Sequence, residues 1–171
     1  MRQSSYFIVY FLLCIVQALF DNFFLFSQYV VLSILPALIM SLPPRHGTPF
    51  AIIMAFLTGA LVDFIGTGSL GLTSISLMPV ALMRMPILRL VSEDDYAFYR
   101  NDPPATHQST SEALLCGVFA YIIYFAVFIP VESAGTRPFW FDALRFLISC
   151  ASSLLLGFLL SLYFSRRQAD D

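Results

Sequence analysis

The chain has 171 residues, of which 58% are apolar and 12% are charged, and its mean hydropathy is +0.80. Soluble domains carry about 25% charged residues, so this composition excludes an ordinary water-soluble protein and predicts an integral membrane protein. The net charge is −2, every basic residue is an arginine, and the longest basic run is the pair Arg166 and Arg167. Nucleic-acid binding, which needs basic patches, is therefore not expected.

Six apolar stretches are long enough to cross a membrane, since a helix needs about 20 residues to span the hydrocarbon core. The predicted fold is an all-α integral membrane protein, a six-transmembrane-helix bundle that forms a single membrane domain over residues 1–171. The first span is expected to be retained, because Ala18, Leu19 and Phe20 lack the small residues of a signal-peptide cleavage site. The predicted spans cover approximately 4–21, 24–43, 48–64, 70–88, 111–130 and 140–164, and a polar cytoplasmic loop covers 92–111.

The arginines predict the orientation of the bundle, because basic residues in short loops stay on the cytoplasmic side. With six spans and both termini cytoplasmic, only Arg137 and Arg145 lie outside. The reverse orientation would place most arginines outside and is not favoured. The arginines expected on the cytoplasmic side are Arg2, Arg45, Arg84, Arg89, Arg100, Arg166 and Arg167.

Candidate catalytic groups are sparse. The three cysteines, Cys14, Cys116 and Cys150, lie in apolar runs without a C-x-x-C spacing, which favours buried small apolar side chains over a disulfide or zinc site. His46 and His107 lie in separate polar segments, so we expect solvated loop residues rather than metal ligands. The sequence predicts no enzyme activity, no metal and no cofactor.

Gly66, Gly68 and Gly71 have the spacing of a dinucleotide-binding G-x-G-x-x-G motif. That motif acts only where a strand leads into a helix of a βαβ unit. Here the glycines connect two predicted membrane helices. We therefore expect a tight turn in which glycine permits positive φ angles.

Asp63 ends the third span and leaves two interpretations open. It either caps the turn at the helix end, or it belongs to a buried pair or pocket, since a carboxylate at membrane depth needs a partner. Small residues recur every four positions on spans three and six, which is typical of closely packed membrane helices. We predict that these two spans pack together and that Asp63 pairs with Arg145, for which Asp142 is a local competitor. The two faces consist of Ala51, Ala55, Gly59 and Asp63 on span three, and of Arg145, Ser149, Ser153 and Gly157 on span six.

The residues around span three resemble the MreD family of rod shape-determining membrane proteins. The resemblance covers about residues 20–90 and depends on Ile34-Leu35-Pro36, the run 56–63 that ends in Asp63, and Leu70-Gly71-Leu72. It implies a non-enzymatic scaffold of the cell-elongation machinery in the bacterial inner (cytoplasmic) membrane. The implied partners are an MreC-type single-span coiled-coil protein, the lipid bilayer and, indirectly, MreB and the peptidoglycan-synthesising enzymes.

A second resemblance leaves an alternative function open. The MreD fold is similar to the substrate-binding subunits of energy-coupling-factor transporters, which implies binding of a vitamin-type small molecule. Those subunits carry an Ala-x-x-x-Ala face on the first helix, whereas here Ala18 stands alone and the spacing occurs at Ala51 and Ala55. This difference favours the scaffold. The structural or partner-interface candidates are Ala51, Ala55, Gly59, Asp63, Gly66, Gly68, Gly71, Arg145, Ser149, Ser153 and Gly157.

Overall fold

The computed structural model describes residues 3–24, 30–42, 47–67, 71–91, 110–134 and 136–169. Within these ranges every regular element is a helix, so the all-α prediction is confirmed. The third helix is extended by a π-helical turn, Asp63–Thr67. The helices are α1 (Gln3–Phe24), α2 (Leu35–Met40), α3 (Gly47–Val62), α4 (Leu72–Val91), α5 (Thr110–Ser133) and α6 (Phe139–Ala169).

Among the described residues, four helical segments are long and apolar enough to cross a bilayer, and a shorter apolar stretch, Ile8–Asn22, lies within α1. By helix length and composition, the chain is a multi-pass membrane protein. Residues 92–109 of the predicted polar loop lie outside the described residues. The four candidate spans are Gly47–Gly66, Leu72–Val91, Leu114–Ser133 and Phe139–Gly157.

The prediction of one continuous helix over residues 24–43 is wrong. Residues 30–34, which we call the interior segment, are not helical, and α2 has only six residues. Pro36 lies in the first turn of α2. Proline has no amide hydrogen and its ring clashes with the carbonyl group four residues earlier, so α2 cannot continue backward through this point.

Helices α1 and α3 run in the same direction. The Tyr10 hydroxyl lies 2.9 Å from Thr58 Oγ1. Eight residues further along both helices, Gly66 packs on α1, and a Cβ atom built there would lie 3.1 Å from the carbonyl oxygen of Ala18. The chain between α1 and α3 therefore returns from one end of the bundle to the other, and the interior segment and α2 are part of this return.

The most extensive helix contacts join α3 to α4, α4 to α5 and α5 to α6. The predicted packing of span three against span six is therefore wrong, because each of these helices packs mainly on its sequence neighbour. Only 17% of the α6 span is buried, compared with 44% of the α4 span, so α6 lies at the edge of the bundle. Up to Gly157, where the structure describes the side chains of α6, the exposed ones are apolar and suit contact with lipid, among them Leu144, Leu147 and Leu155.

Candidate functional site

Asp63 is completely buried and caps the beginning of α4. Its Oδ2 accepts a hydrogen bond from the amide of Gly71 at 2.9 Å, and its two oxygens accept from the amide of Thr73 at 3.0 and 3.1 Å. The amide of Ser74 donates to Oδ2 at 3.3 Å. The first amides of a helix have no partner within the helix, and they carry partial positive charge. Of the two interpretations of Asp63, the capping role matches these contacts.

The small face of α3 lets α4 approach closely. A Cβ atom at Gly59 would lie 2.4 Å from Ser74 Cα, a distance that no side chain can occupy. Ala51 and Ala55, on the same face, are buried. Gly59 therefore belongs to the α3–α4 contact and not to a contact with α6.

The predicted glycine turn has two described members with different roles. Gly71 adopts a φ angle of +100°, a conformation that favours glycine. No atom lies within 4 Å of a Cβ built on it, so close packing is not the reason for glycine at this position. Gly66 has a φ outside that range but contacts Ala18 and Asp21 of α1 closely. Gly68 lies outside the described residues.

Gln17 of α1 binds the backbone of the interior segment from one side. Its Nε2 donates to the carbonyl of Leu32 at 2.9 Å, and its Oε1 accepts from the amide of Ile34 at 2.9 Å. The same Nε2 donates to Asp21 Oδ1 at 2.7 Å. Gln17 is 2% exposed, so one amide side chain satisfies two buried backbone groups and orients a carboxylate.

Two serines of α6 bind the interior segment from the other side. Ser149 Oγ accepts from the amide of Val31 at 2.9 Å. Ser153 Oγ accepts from the amide of Ser33 at 3.0 Å and donates to the carbonyl of Val31 at 3.3 Å. The predicted small face of α6 is thus real as a contact surface, but it faces the interior segment instead of α3.

Tyr124 of α5 is a buried polar side chain that lies between the interior segment and the capped end of α4. It is 2% exposed, and its hydroxyl is near the side chains of Ser33 and Thr73. Its ring packs on Phe125 and Phe128, with ring centroids 5.1 and 5.4 Å apart. Thr73 is one of the residues whose amide binds Asp63.

Arg145 pairs with Glu132, which corrects the predicted pair with Asp63. Arg145 Nη1 lies 2.9 Å from Glu132 Oε2, and Nη2 donates to Oε1 at 3.0 Å. One charge-assisted hydrogen bond and a second close contact between opposite charges therefore hold the guanidinium against the carboxylate. Glu132 lies on α5, the antiparallel neighbour of α6, whereas Asp63 is occupied by the amides of α4.

Three polar residues inside the bundle were missed or misplaced by sequence reasoning. Gln17 and Tyr124 are isolated polar positions in apolar runs, and the expectation that a polar group inside a membrane has a partner could have found them. Arg84, expected among the cytoplasmic-side arginines, has its side chain buried in the bundle, where Nη2 donates to the carbonyl of Leu42 just after α2.

Gly157, the last predicted member of the α6 face, contacts α5. A Cβ atom built on it would lie 2.5 Å from the hydroxyl oxygen of Tyr121. That hydroxyl is buried and has no hydrogen-bond partner among the described residues. The glycine therefore provides the space in which the tyrosine hydroxyl fits.

The chemistry available to these groups is hydrogen bonding within the chain. No group of three or more His, Cys, Asp or Glu side chains that could hold a metal ion occurs in the described ranges. His46 and His107 lie outside those ranges. Comparison with protein families, with curated proteins and with solved structures finds no match to this chain.

Proposed function

We propose that the chain is a non-enzymatic scaffold of the bacterial cell-elongation machinery. In this proposal it crosses the inner membrane six times, with both termini in the cytoplasm. It associates with an MreC-type single-span coiled-coil protein and, through that protein, with MreB and the enzymes of peptidoglycan synthesis. The observation that carries the proposal is that the buried polar side chains described above mainly bind groups of their own chain.

A catalytic site needs a nucleophile or base that can reach a substrate. The oxygens of Asp63 accept backbone amides, and Gln17, Ser149 and Ser153 bind the interior segment. Arg145 forms an ion pair with Glu132 that includes one hydrogen bond. These pairings favour a structural role for each residue.

The resemblance to MreD supplies the particular machinery. Its motif residues Gly59, Asp63 and Gly71 all lie at the α3–α4 junction, as a closely packed residue, a cap and a turn residue. This arrangement gives a physical reason why a membrane scaffold would keep such a pattern. It makes the hairpin rigid, and a rigid hairpin can present a constant surface to a partner helix.

One observation favours the alternative, a vitamin-binding subunit of an energy-coupling-factor transporter. The interior segment is non-helical backbone inside the bundle. Membrane proteins tolerate such backbone where it is buried in protein or lines a cavity, and interrupted helices form the substrate sites of many transporters. A bound small molecule in the purified protein would support this function.

Affinity capture from native membranes tests the proposal. The chain is tagged, expressed at its natural level, purified in a mild detergent and analysed with its companions by peptide mass spectrometry. A tagged multi-pass membrane protein of similar size and unrelated function is the control. We expect specific recovery of a single-span coiled-coil protein and wall-synthesis enzymes. Recovery of transporter ATPase subunits in their place would contradict the scaffold and support the alternative.

A further inference from the structure

The interior segment lies at a different level of the bundle from the end of α2. The interior segment is level with the beginning of α4, because Gln17 binds Leu32 and Ile34, and the next residue of α1, Ala18, contacts Gly66 in the π-helical turn that contains the α4 cap Asp63. Leu42 is bound by Arg84, which lies twelve residues beyond Leu72 in α4, or roughly 18 Å at 1.5 Å per residue. Residues 30–42 therefore cover much of the membrane thickness as a non-helical half followed by a short helical half.

The non-helical half is held by side chains. Successive residues of the segment bind two different helices through their backbone groups. Val31 and Ser33 bond to serines of α6, and Leu32 and Ile34 bond to Gln17 of α1. A membrane helix satisfies its backbone within its own segment. Here the same groups depend on three side chains that belong to two other helices.

These contacts also join the two edges of the bundle. Helix α6 packs mainly on α5, and α1 packs mainly on α3 and the π-helical turn. Val31 and Leu32 are adjacent residues, and they bond to Ser149 and Gln17 respectively. The interior segment is thus a bridge of hydrogen bonds between α1 and α6.

We infer that residues 30–42 form a broken membrane crossing whose interior segment is a releasable latch between α1 and α6. Loss of the bonds to Gln17, Ser149 and Ser153 frees the segment, while each long helix keeps its own hydrogen bonds. Release loosens α6 from α1 and leaves the capped α3–α4 hairpin in place. The inference does not depend on the proposed function.

Hydrogen–deuterium exchange on the full chain in detergent micelles tests the latch, since local opening is measured by amide exchange. In the unmodified protein we expect the amides of the interior segment to exchange at least tenfold faster than those in the middle of α4. Ser153→Ala should increase exchange in the interior segment at least a further tenfold and leave α3 and α4 unchanged. The matched control is Ser152→Ala, because that hydroxyl bonds only to carbonyls of its own helix.

Three results would overturn the inference. The first is exchange in the unmodified interior segment that is as slow as in the middle of α4, and this result is decisive even if Ser153→Ala fails to fold. The second is an equal effect of Ser152→Ala and Ser153→Ala. The third is a rise in exchange that spreads over α3 and α4, which would show that the segment opens only when the whole bundle unfolds.

Discussion

At the scale of single residues, Asp63 shows how a carboxylate is stabilised inside a membrane bundle by backbone amides. The amides of Gly71, Thr73 and Ser74 surround its oxygens. Each hydrogen bond satisfies both a buried carboxylate oxygen and a backbone amide, because the first amides of α4 have no partners within the helix. Removal of the carboxylate leaves several buried amides without an acceptor.

We therefore expect Asp63→Asn to destabilise the protein. Asparagine keeps one acceptor oxygen but has an NH2 donor in place of the other, so at least one of the amides that bind Asp63 loses its acceptor. An unsatisfied buried donor costs about 1–3 kcal/mol. The midpoint of thermal unfolding in detergent, followed by size-exclusion chromatography, measures the effect. Asp142→Asn is the control, since Asp142 Oδ1 has no hydrogen-bond partner among the described residues. Equal midpoints for the two variants would contradict the capping role.

Charge exchange distinguishes the observed ion pair from the one that the sequence suggested. Arg145→Gln or Glu132→Gln alone should lower the free energy of unfolding. Arg145 is 5% exposed and Glu132 is 26% exposed, so the pair lies between a surface pair and a buried one. The expected loss therefore lies between the ~1 kcal/mol typical of exposed pairs and the about 3–5 kcal/mol typical of buried ones. The exchange Glu132→Arg with Arg145→Glu should recover part of the loss. The exchange Asp63→Arg with Arg145→Asp should recover none, and recovery there would reinstate the original prediction.

The error over Arg145 has a physical origin. Periodicity places Arg145, Ser149 and Ser153 on one face of a helix, and the structure uses that face for contact. Periodicity carries no information about which neighbour covers the face. Glu132 was available as a partner because α5 and α6 form an antiparallel pair joined by a short turn, whereas Asp63 had its own local partners in α4.

At the scale of elements, the α3–α4 hairpin depends on close backbone contact. We expect Gly59→Ala to be strongly destabilising, because its Cβ would overlap the backbone of Ser74 and a backbone cannot rotate away. Overpacking typically costs about 1–3 kcal/mol. Gly117→Ala is the control, since its nearest neighbour would be Leu154 at 3.8 Å. Thermal unfolding of both variants measures the difference, and equal behaviour would contradict the packing described.

The α5–α6 contact allows a two-residue test. Gly157→Ala should destabilise the protein through its overlap with the Tyr121 hydroxyl. Tyr121→Phe alone should be neutral or stabilising, because it removes a buried hydroxyl that has no described partner. In the Phe background the cost of Gly157→Ala should fall. Additive effects in a double-mutant cycle of unfolding free energies would argue against direct contact between the two residues.

Hydropathy predicts the long helices of this protein well and its interrupted crossing poorly. Four of the long apolar runs are candidate membrane spans in the structure. The run 24–43 is equally apolar, so its composition is the same whether it forms one helix or a non-helical segment followed by α2. Pro36 was the local signal for the interruption. The non-helical segment before Pro36 also depends on Gln17, Ser149 and Ser153, because these side chains bind its backbone. Their positions relative to the run are defined only in the folded bundle.

At the scale of the whole molecule, the bundle consists of neighbouring helix pairs around an internal bridge. The α3–α4 pair is fixed by Asp63 and Gly59, and the α5–α6 pair by Glu132 and Gly157. The interior segment connects the outer helices α1 and α6. The exposed apolar side chains of the described helices suit contact with lipid, and the proposed scaffold would use such a surface to bind the membrane helix of a partner.

Depletion of the chain in its native cell, with cell length and width measured by microscopy over several generations, tests the central claim most directly. The scaffold account predicts that rod-shaped cells become wider and rounded, and that expression of the unmodified chain restores their shape. Ser152→Ala should restore shape as well, because its hydroxyl bonds only within α6. Cells that keep their dimensions after the chain is lost, and instead require an external vitamin for growth, would contradict the scaffold account.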